Sequence, residues 1–398
     1  MNLPELDILH RQVARIFTVE TLTLGDTRRG FVVRYSGQLH APDSAVAYDQ
    51  LAAALSPYGL TPLFEVVDGE QYVTLVREAP KPDAGKPSRN LIFFLITLFS
   101  VLLTGSALSS SLPESTFLQL LHKMKDAVLH LGRGWSFAAS FLSILLAHEF
   151  GHYFVGRYHK TNVTLPFFLP LPYPISAFGT LGAVIQMKER PKNKRILFDI
   201  GIAGPLAGLI VAIPVLLYGL SLSELTTLSG PGALEGNSIL YLLAKFAVFG
   251  KWLPEPASYG NVPPFLYWVR YLFTSTPSAI GALDVQVHNV AWAGWAGLLV
   301  TSLNLIPIGT LDGGHIIYSA LGDKAKKFVG VIFVVMIVLG FFWEGWWLWV
   351  FMLYFLGRHH ATPLDQITEL DPARKRLAAF MLVVFILVFI PVPLVLYG

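Results

Sequence analysis

Apolar and polar residues are unevenly distributed along the chain, and residues 1–89 differ from everything that follows. In this segment charged residues, proline and glycine recur throughout, without any long apolar run. The periodicity predicts helices over 6–17 and from about 42 to 55, the latter capped by Asp43 or Ser44, and a strand over 30–39. Runs at 60–67 and 71–77 flank Asp68-Gly69, a dipeptide typical of a two-residue hairpin turn.

We therefore expect a small soluble α+β domain over residues 1–78. Such a domain either solubilises the chain without further function, or regulates it or presents a substrate. Residues 79–90 contain three prolines and no apolar run, which is typical of a linker.

After the linker the chain becomes strongly apolar, and five stretches approach the roughly 20 residues needed to cross a bilayer. They are residues 91–110, 134–156, 198–219, 289–310 and 377–397. A sixth run, 328–357, is interrupted by Glu344 and Gly345 beside several tryptophans. We interpret it as two short helices that meet in a turn at the membrane interface, with one long tilted helix as the alternative. The prediction is a polytopic α-helical membrane domain over 91–398 with about seven transmembrane helices.

The composition agrees with a membrane protein. The 398 residues are 54% apolar and 14% charged, and they include no cysteine. Soluble globular proteins carry about 25% charged residues, so much of this surface does not face water. This argues against an ordinary cytosolic enzyme, a disordered regulator or a disulfide scaffold, and the net charge of +3 gives no indication of a nucleic-acid partner.

Lysine and arginine indicate how the chain lies across the membrane. They concentrate before the first predicted crossing, between the second and third, after the fourth, and between the sixth and seventh. With seven crossings these loops share one side, which the positive-inside rule makes cytoplasmic, or stromal or matrix in an organelle. We expect the N-terminal domain on that side. The lack of a transit-like N-terminus favours a bacterial plasma membrane over a plastid one.

The candidate chemistry begins at the end of the second crossing, in the run AHEFGHYF. On a helix His148 and His152 share one face about 6 Å apart, within reach of one metal ion. Imidazole nitrogens suit Zn²⁺, and Glu149 can take a proton from a metal-bound water. The alternative is a pair of interfacial histidines beside a coincidental glutamate. An ionisable cluster at the end of an apolar helix is costly and is usually functional, so we favour the metal interpretation.

A catalytic zinc has three protein ligands and an open position, so a third ligand must come from elsewhere. The fourth crossing ends in SLNLIPIGTLDGGHI, which brings Asp312 and His315 to the same predicted depth as His148. Spacing alone does not choose between them. Either Asp312 completes a two-imidazole, one-carboxylate set and His315 supports a ligand or caps the helix, or His315 is itself the third ligand. The alternative for the whole stretch is a helix end broken by Pro307 with a polar cap.

Together these two stretches resemble the site-2 protease family of intramembrane zinc metalloproteases. That family pairs H-E-x-x-H with a later N-x-x-P-x-x-x-L-D-G, and the sequence from Asn304 to Gly313 matches the second pattern. GIAGPLAG at 201–208 also resembles the glycine-rich start of the family's middle core helix. The similarity spans about 134–320, which would be the catalytic core.

The resemblance implies specific roles for the matching residues. His148, His152 and Asp312 would bind one Zn²⁺ per chain, Glu149 would be the general base that activates a zinc-bound water, and Asn304 would donate a hydrogen bond to the substrate. The implied activity is hydrolysis of peptide bonds in or next to transmembrane segments. The implied partners are the lipid bilayer and a membrane-protein substrate with a single span.

Residues 170–187 are apolar but rich in proline and glycine, which makes them a poor spanning helix. Non-helical backbone enters a membrane only where protein or water satisfies it. The family resemblance implies a re-entrant β-hairpin whose edge strand, over 178–185, pairs with an unwound substrate. Phe178, Gly179 and Thr180 are the candidate substrate contacts. An interfacial loop is the alternative.

No PDZ-like module is visible, and the arrangement resembles a bacterial and plastid branch with a soluble N-terminal domain in its place. Residues 239–249 and 267–273 are predicted interfacial helices, with simple loop packing as the alternative.

Two other function classes fit parts of the sequence. A zinc-binding membrane protein without protease activity would be favoured if Glu149 or Asp312 were missing, and both are present. A transporter would use intramembrane ionisable residues, but we see no internal repeat, and a tight H-E-x-x-H is not an expected ion relay.

Overall fold

The computed structural model describes residues 5–25, 30–78, 86–229, 232–275, 281–356 and 361–397, so most of the predicted linker lies outside the described residues. Within these ranges the helices are Leu6–Ala14 (α1), Ser44–Leu55 (α2), Pro87–Leu108 (α3), Phe117–Leu129 (α4), Trp135–Tyr158 (α5), Lys194–Ser221 (α6), Ile239–Phe249 (α7), Pro264–Thr274 (α8), Asn289–Asn304 (α9), Asp312–Leu321 (α10), Ala325–Gly340 (α11), Gly345–Leu356 (α12) and Pro372–Val388 (α13). The strands are Phe17–Leu24 (β1), Val33–Leu39 (β2), Leu60–Val67 (β3), Glu70–Arg77 (β4), Phe167–Pro170 (β5), Thr180–Val184 (β6), Glu224–Thr227 (β7), Gly232–Glu235 (β8), Leu283–Gln286 (β9) and Leu394–Tyr397 (β10).

The N-terminal domain is a four-stranded antiparallel sheet in the order β1-β2-β4-β3, packed against α1 and α2. Asp43 caps α2 by accepting a hydrogen bond from the backbone N–H of Ala45. Asp68 and Gly69 both have positive φ, as the predicted two-residue turn requires. The sequence interpretation missed β1, whose outward side chains are mostly threonine and glutamate.

A segment far along the chain completes this domain. Residues 364–368, here called the docking segment, pair with β3: the Phe64 N–H donates to the Leu364 carbonyl, and the Gln366 N–H donates to the Phe64 carbonyl. Leu364 and Ile367 pack against the domain's hydrophobic core. On its other side the docking segment hydrogen-bonds to the carbonyls of residues 191 and 192, just before α6. It therefore lies between the N-terminal domain and the helical part of the chain.

Side chains add to this junction. The Ser44 and Thr368 hydroxyls are 2.6 Å apart, and Lys192 forms an ion pair of 2.7 Å with Asp49. The N-terminal domain thus rests on the residues that precede α6.

The helical part is built around α5, α6 and α9, with α3 and α10 packed against this group. Large apolar side chains on the outer faces of α3, α11 and α13 are exposed, among them Leu91, Phe99, Val331 and Phe380. A helical bundle that is apolar on its outside suits a lipid environment.

Among the described helices, α3 and α6 are long and apolar enough to cross a membrane. Helix α5 has 24 residues, but the polar residues of its metal motif lower its mean hydropathy, and α9, α11 and α13 have 16 or 17 residues. The count of seven crossings stays a prediction.

Two of the expected elements end earlier than predicted. The helix expected over 289–310 ends at Asn304, before Pro307. The helix expected over 377–397 ends at Val388, because Pro391 and Pro393 cannot continue it. Residues 394–397 instead form β10, which pairs with β8, so the helical interpretation of this stretch is wrong at its end.

Other predicted elements are present. Residues 328–357 fall into two helices, α11 and α12, that pack against each other. Strands β5 and β6 form a hairpin, but β5 ends at Pro170, where the predicted stretch begins, and β6 spans Thr180–Val184 and not 178–185. Helices α7 and α8 occupy the two regions expected to be helical between α6 and α9.

Candidate metal centre

Helix α5 carries the first half of the site. His148, Glu149 and His152 are all buried near its C-terminal end, with exposures of 3–5%. The two histidines are one helical turn apart, so their rings lie together and their Nε2 atoms are 3.2 Å apart. The helix therefore presents two imidazole nitrogens at a single point.

Helix α10 brings the second half. Asp312 is its first residue, and its Oδ2 atom lies 3.3 Å from the Nε2 atom of His148 and 3.3 Å from that of His152. Among the described residues these three form the group of histidine and acidic side chains that can hold a metal ion.

The spacing of the three ligand atoms fits zinc. A tetrahedral Zn²⁺ with bonds of about 2.0–2.1 Å keeps neighbouring ligand atoms about 3.3–3.4 Å apart. The three observed separations are 3.2, 3.3 and 3.3 Å. Two imidazoles and one carboxylate also leave a fourth position open, as catalytic zinc sites do.

A backbone carbonyl fixes the orientation of one ligand. The Nδ1 atom of His152 lies 2.7 Å from the Ile200 carbonyl in α6. A carbonyl only accepts, so Nδ1 carries the hydrogen and Nε2 is left as the free ligand atom. For His148, Nδ1 is buried without a hydrogen-bond partner in the described part of the chain.

Glycines of α6 provide room for the histidine rings. A Cβ atom on Gly204 would lie 2.0 Å from Nε2 of His152, and one on Gly208 would lie 3.3 Å from His148. A Cβ on Gly201 would lie 3.1 Å from the side chain of His315. Gly204 and Gly208 thus allow α6 to lie closer to the two candidate ligand histidines than a residue with a Cβ atom would allow.

Two further predicted residues lie beside the ligand group. Asn304 ends α9, and its Nδ2 atom is 3.3 Å from Nε2 of His148. His315 is buried on α10, one turn after Asp312, and is not part of the metal-ligating group. Of the two residues that spacing left open, Asp312 is therefore the one that joins the histidines.

Of the three predicted substrate contacts, Phe178 and Gly179 pack the hairpin onto the helices, and Thr180 joins its two strands. The ring of Phe178 lies 5.7–6.3 Å from those of Phe141, Trp292 and Trp295. The Gly179 carbonyl accepts a hydrogen bond of 2.6 Å from Ser100, and the hydroxyl of Thr180 donates to the Leu169 carbonyl. Their contact with a substrate stays a prediction.

The free edge of the hairpin lies further along β6. This strand pairs with β5 alone among the described strands, and Leu181 is 70% exposed. An edge with unpaired backbone groups is a template for adding another strand.

Sequence reasoning missed the Ile200 carbonyl, because a backbone group leaves no signature in the sequence. The glycines at 201, 204 and 208 do leave one, since their spacing places them on one face of a helix.

The side chains that can hold a metal ion lie on an H-E-x-x-H helix that is buried in an apolar helical bundle. This combination places the chain in the class of membrane-embedded metalloprotease-like proteins. Residues 136–342, more than half of the chain, match the model of Peptidase family M50, and the chain belongs to that family. This confirms the resemblance to site-2 proteases.

The curated relatives include plant proteins. The chain is 28% identical over 326 residues to "Probable zinc metalloprotease EGY1, chloroplastic" of Arabidopsis thaliana, which covers 76% of this chain and 52% of the relative. The rice protein of the same name is 28% identical over 77% of this chain and 50% of the relative, and rice EGY2 is 27% identical over 76% and 49%. The chain spans about half the length of these relatives.

No solved structure matches the chain significantly. The relatives are named as chloroplastic, so these names do not support the predicted bacterial plasma membrane.

Proposed function

We propose that this chain is a zinc-dependent protease that hydrolyses peptide bonds in or next to transmembrane segments of membrane proteins. The observation that carries the proposal is the separation of 3.2–3.3 Å between the Nε2 atoms of His148 and His152 and Oδ2 of Asp312. Membership of Peptidase family M50 and relatives named as zinc metalloproteases support it.

His148, His152 and Asp312 would hold the metal. When bound there, zinc supplies a Lewis acid that polarises a carbonyl and increases the acidity of water. The Ile200 carbonyl keeps the His152 ring turned with Nε2 toward the ligand group.

Glu149 follows His148 directly on α5 and is buried with it. Its carboxylate would take the proton of the attacking water and later give a proton to the leaving amine nitrogen. Asn304, whose side chain lies beside His148, would donate a hydrogen bond to the substrate.

A substrate helix hides its amides in its own hydrogen bonds, so cleavage requires local unwinding. The free edge of β6, with exposed Leu181 and Val184, offers backbone groups that would hold an unwound segment extended. A single-span membrane protein is the substrate class that suits this arrangement.

The proposed topology puts the metal centre near the side that carries most lysine and arginine. The N-terminal domain docks beside Lys192, at the start of α6, which supports its position on that same side. This side would be cytoplasmic in a bacterial plasma membrane and stromal in a plastid, and water would reach the site from it.

The test uses purified full-length protein and a single-span reporter in membranes. We expect the wild type to bind one zinc and to cleave the reporter. Glu149→Gln should keep the zinc and lose cleavage by at least about 100-fold, as expected for a general base. Asp312→Asn should lose both.

Glu344→Gln is the matched control, because Glu344 is exposed in the turn between α11 and α12 and does not belong to the ligand group. It should behave as the wild type. Undiminished cleavage by the Glu149 variant, or a wild type that binds no zinc, would contradict the proposal.

A further inference from the structure

A second charged group lies next to the metal centre and takes no part in binding the metal. Asp199, in the second turn of α6, precedes Ile200, whose carbonyl orients His152. Arg374, near the start of α13, binds this carboxylate with both arms of its guanidinium: Nε is 2.7 Å from Oδ1, and Nη2 is 2.6 Å from Oδ2. Such bidentate pairs have a fixed geometry.

A third helix joins the same carboxylate. His159, the residue that follows the last residue of α5, lies with Nε2 3.0 Å from Oδ2 of Asp199. A carboxylate only accepts, so this nitrogen carries the hydrogen and donates it. His159 is seven residues, about two helical turns, after His152, so it lies just beyond the end of the face of α5 that carries His152. Asp199 thereby ties the end of the helix that carries the histidines to α6 and α13.

The position of α6 matters at the metal centre to within fractions of an ångström. The helix supplies the hydrogen bond of 2.7 Å to His152 and leaves no room for a Cβ at Gly204. A small slide or rotation of its first turns would lengthen that hydrogen bond or push the helix into the ring. Besides the packing of α6 on its neighbours, the pair between Asp199 and Arg374 is a charged contact that holds these turns.

We propose that Asp199 is a positioning residue for the metal centre. Its pair with Arg374 fixes the first turns of α6, and with them the Ile200 carbonyl that orients His152. This inference rests on the proposed function only in that His152 binds the metal. Loss of a group that hydrogen-bonds a metal ligand typically weakens metal affinity by about 10–100-fold, and Asp199 would act through such a group, the Ile200 carbonyl.

The experiment measures zinc affinity by competition with a chromogenic chelator, on full-length protein in detergent and without any substrate. We expect Asp199→Asn and Arg374→Gln each to weaken zinc binding by about 10-fold or more. Arg374→Lys, which keeps the charge but loses the second hydrogen bond, should fall between them and the wild type. In the cobalt-substituted protein, the visible absorption of Asp199→Asn and of Arg374→Gln should shift, because the orientation of the His152 ligand has changed.

Arg34→Gln is the matched control. It removes an arginine–carboxylate pair of similar exposure, that with Glu65 in the N-terminal domain, which lies away from the metal. Its zinc affinity and cobalt spectrum should equal those of the wild type.

Wild-type zinc affinity and an unshifted cobalt spectrum in folded Asp199→Asn and Arg374→Gln would overturn the inference. If one of these variants elutes as aggregate, Arg374→Lys is measured in its place, because the lysine retains a positive charge opposite Asp199. If the wild type binds zinc but cleaves nothing, the proposed function fails while the affinity comparison still decides this inference.

Discussion

At the scale of single residues, the candidate metal centre depends on the absence of a Cβ atom at Gly204. The ring of His152 occupies the space where a Cβ of residue 204 would stand, 2.0 Å from its Nε2 atom. Backbone atoms of helix α6 cannot withdraw locally without breaking helical hydrogen bonds. The ring and the helix are therefore compatible only with glycine at this position.

Gly204→Ala should consequently abolish or strongly reduce zinc binding. The added methyl group must displace either the ring or the helix, and both carry the ligand geometry. We expect zinc affinity to fall by at least about 10-fold, measured by chelator competition on protein that still elutes as a single species.

Gly330→Ala is the control for this prediction. Gly330 is also helical, on α11, and a Cβ there would meet no atom within 4 Å. The control should retain wild-type affinity, and equal zinc affinity in the two alanine variants would show that the space beside His152 is not restrictive.

At the scale of elements, the start of α13 is stabilised by a charged cap. Asp371 accepts a hydrogen bond from the backbone N–H of Arg374 and also pairs with its guanidinium. The backbone hydrogen bond, together with the side-chain contact, lowers the pKa of Asp371 to about 2 from an ordinary value of 3.8. The folded chain thus binds this proton less tightly than the unfolded chain does.

The sign of the pH dependence follows from that difference. The carboxylate stabilises the folded state fully above the ordinary pKa, and this contribution is lost as the pH falls toward 2. Asp371→Asn keeps the cap acceptor but not the charge. We expect its melting temperature in detergent to lie below that of the wild type near pH 6, and the difference to shrink by about pH 2.5.

Asp7→Asn serves for comparison, because the Asp7 carboxylate makes no ion pair within the described structure. Its melting temperature should follow that of the wild type at both pH values. A difference between Asp371→Asn and the wild type that is the same at both would contradict the cap's role.

The elements also indicate what could be predicted from the sequence. The pairing of His148 with His152 depends on helix geometry alone, and the turn at Asp68-Gly69 depends on two adjacent residues, so both were predictable. The choice of Asp312 over His315 was not, because it depends on where the packing of α10 on α6 places the two side chains relative to α5. For that pair the family resemblance supplied what spacing could not.

The pairing of β10 with β8 was missed for a related reason. β10 is four residues long and pairs with β8, about 160 positions earlier. No local pattern encodes such pairing. The end of α13 could nevertheless have been predicted, since Pro391 and Pro393 in the sequence cannot continue a helix.

At the scale of the whole molecule, the docking segment joins the N-terminal domain to the helical part. Ser44 and Thr368 are 324 positions apart in sequence, yet their hydroxyl oxygens are 2.6 Å apart. The chain contains no cysteine, so a pair introduced at these two positions has no competing thiols.

We expect Ser44→Cys combined with Thr368→Cys to form a disulfide under mild oxidation, because the side-chain oxygens already lie 2.6 Å apart and an S–S bond of about 2.05 Å needs only a small further approach. With a protease site inserted in the linker at 79–85, the two fragments should stay joined on a gel until they are reduced. Each single-cysteine chain is the control and should separate after cleavage. Separation of the double variant without reduction would contradict the docked arrangement.

The docking segment also sets an order of events during synthesis. Leu364 and Ile367 complete the hydrophobic core of a domain whose remaining residues precede position 78. While the ribosome makes the intervening helices, β3 has an unpaired edge and the core beside it is uncovered. The N-terminal domain is thus completed only after all the helices between residues 78 and 364 have been translated.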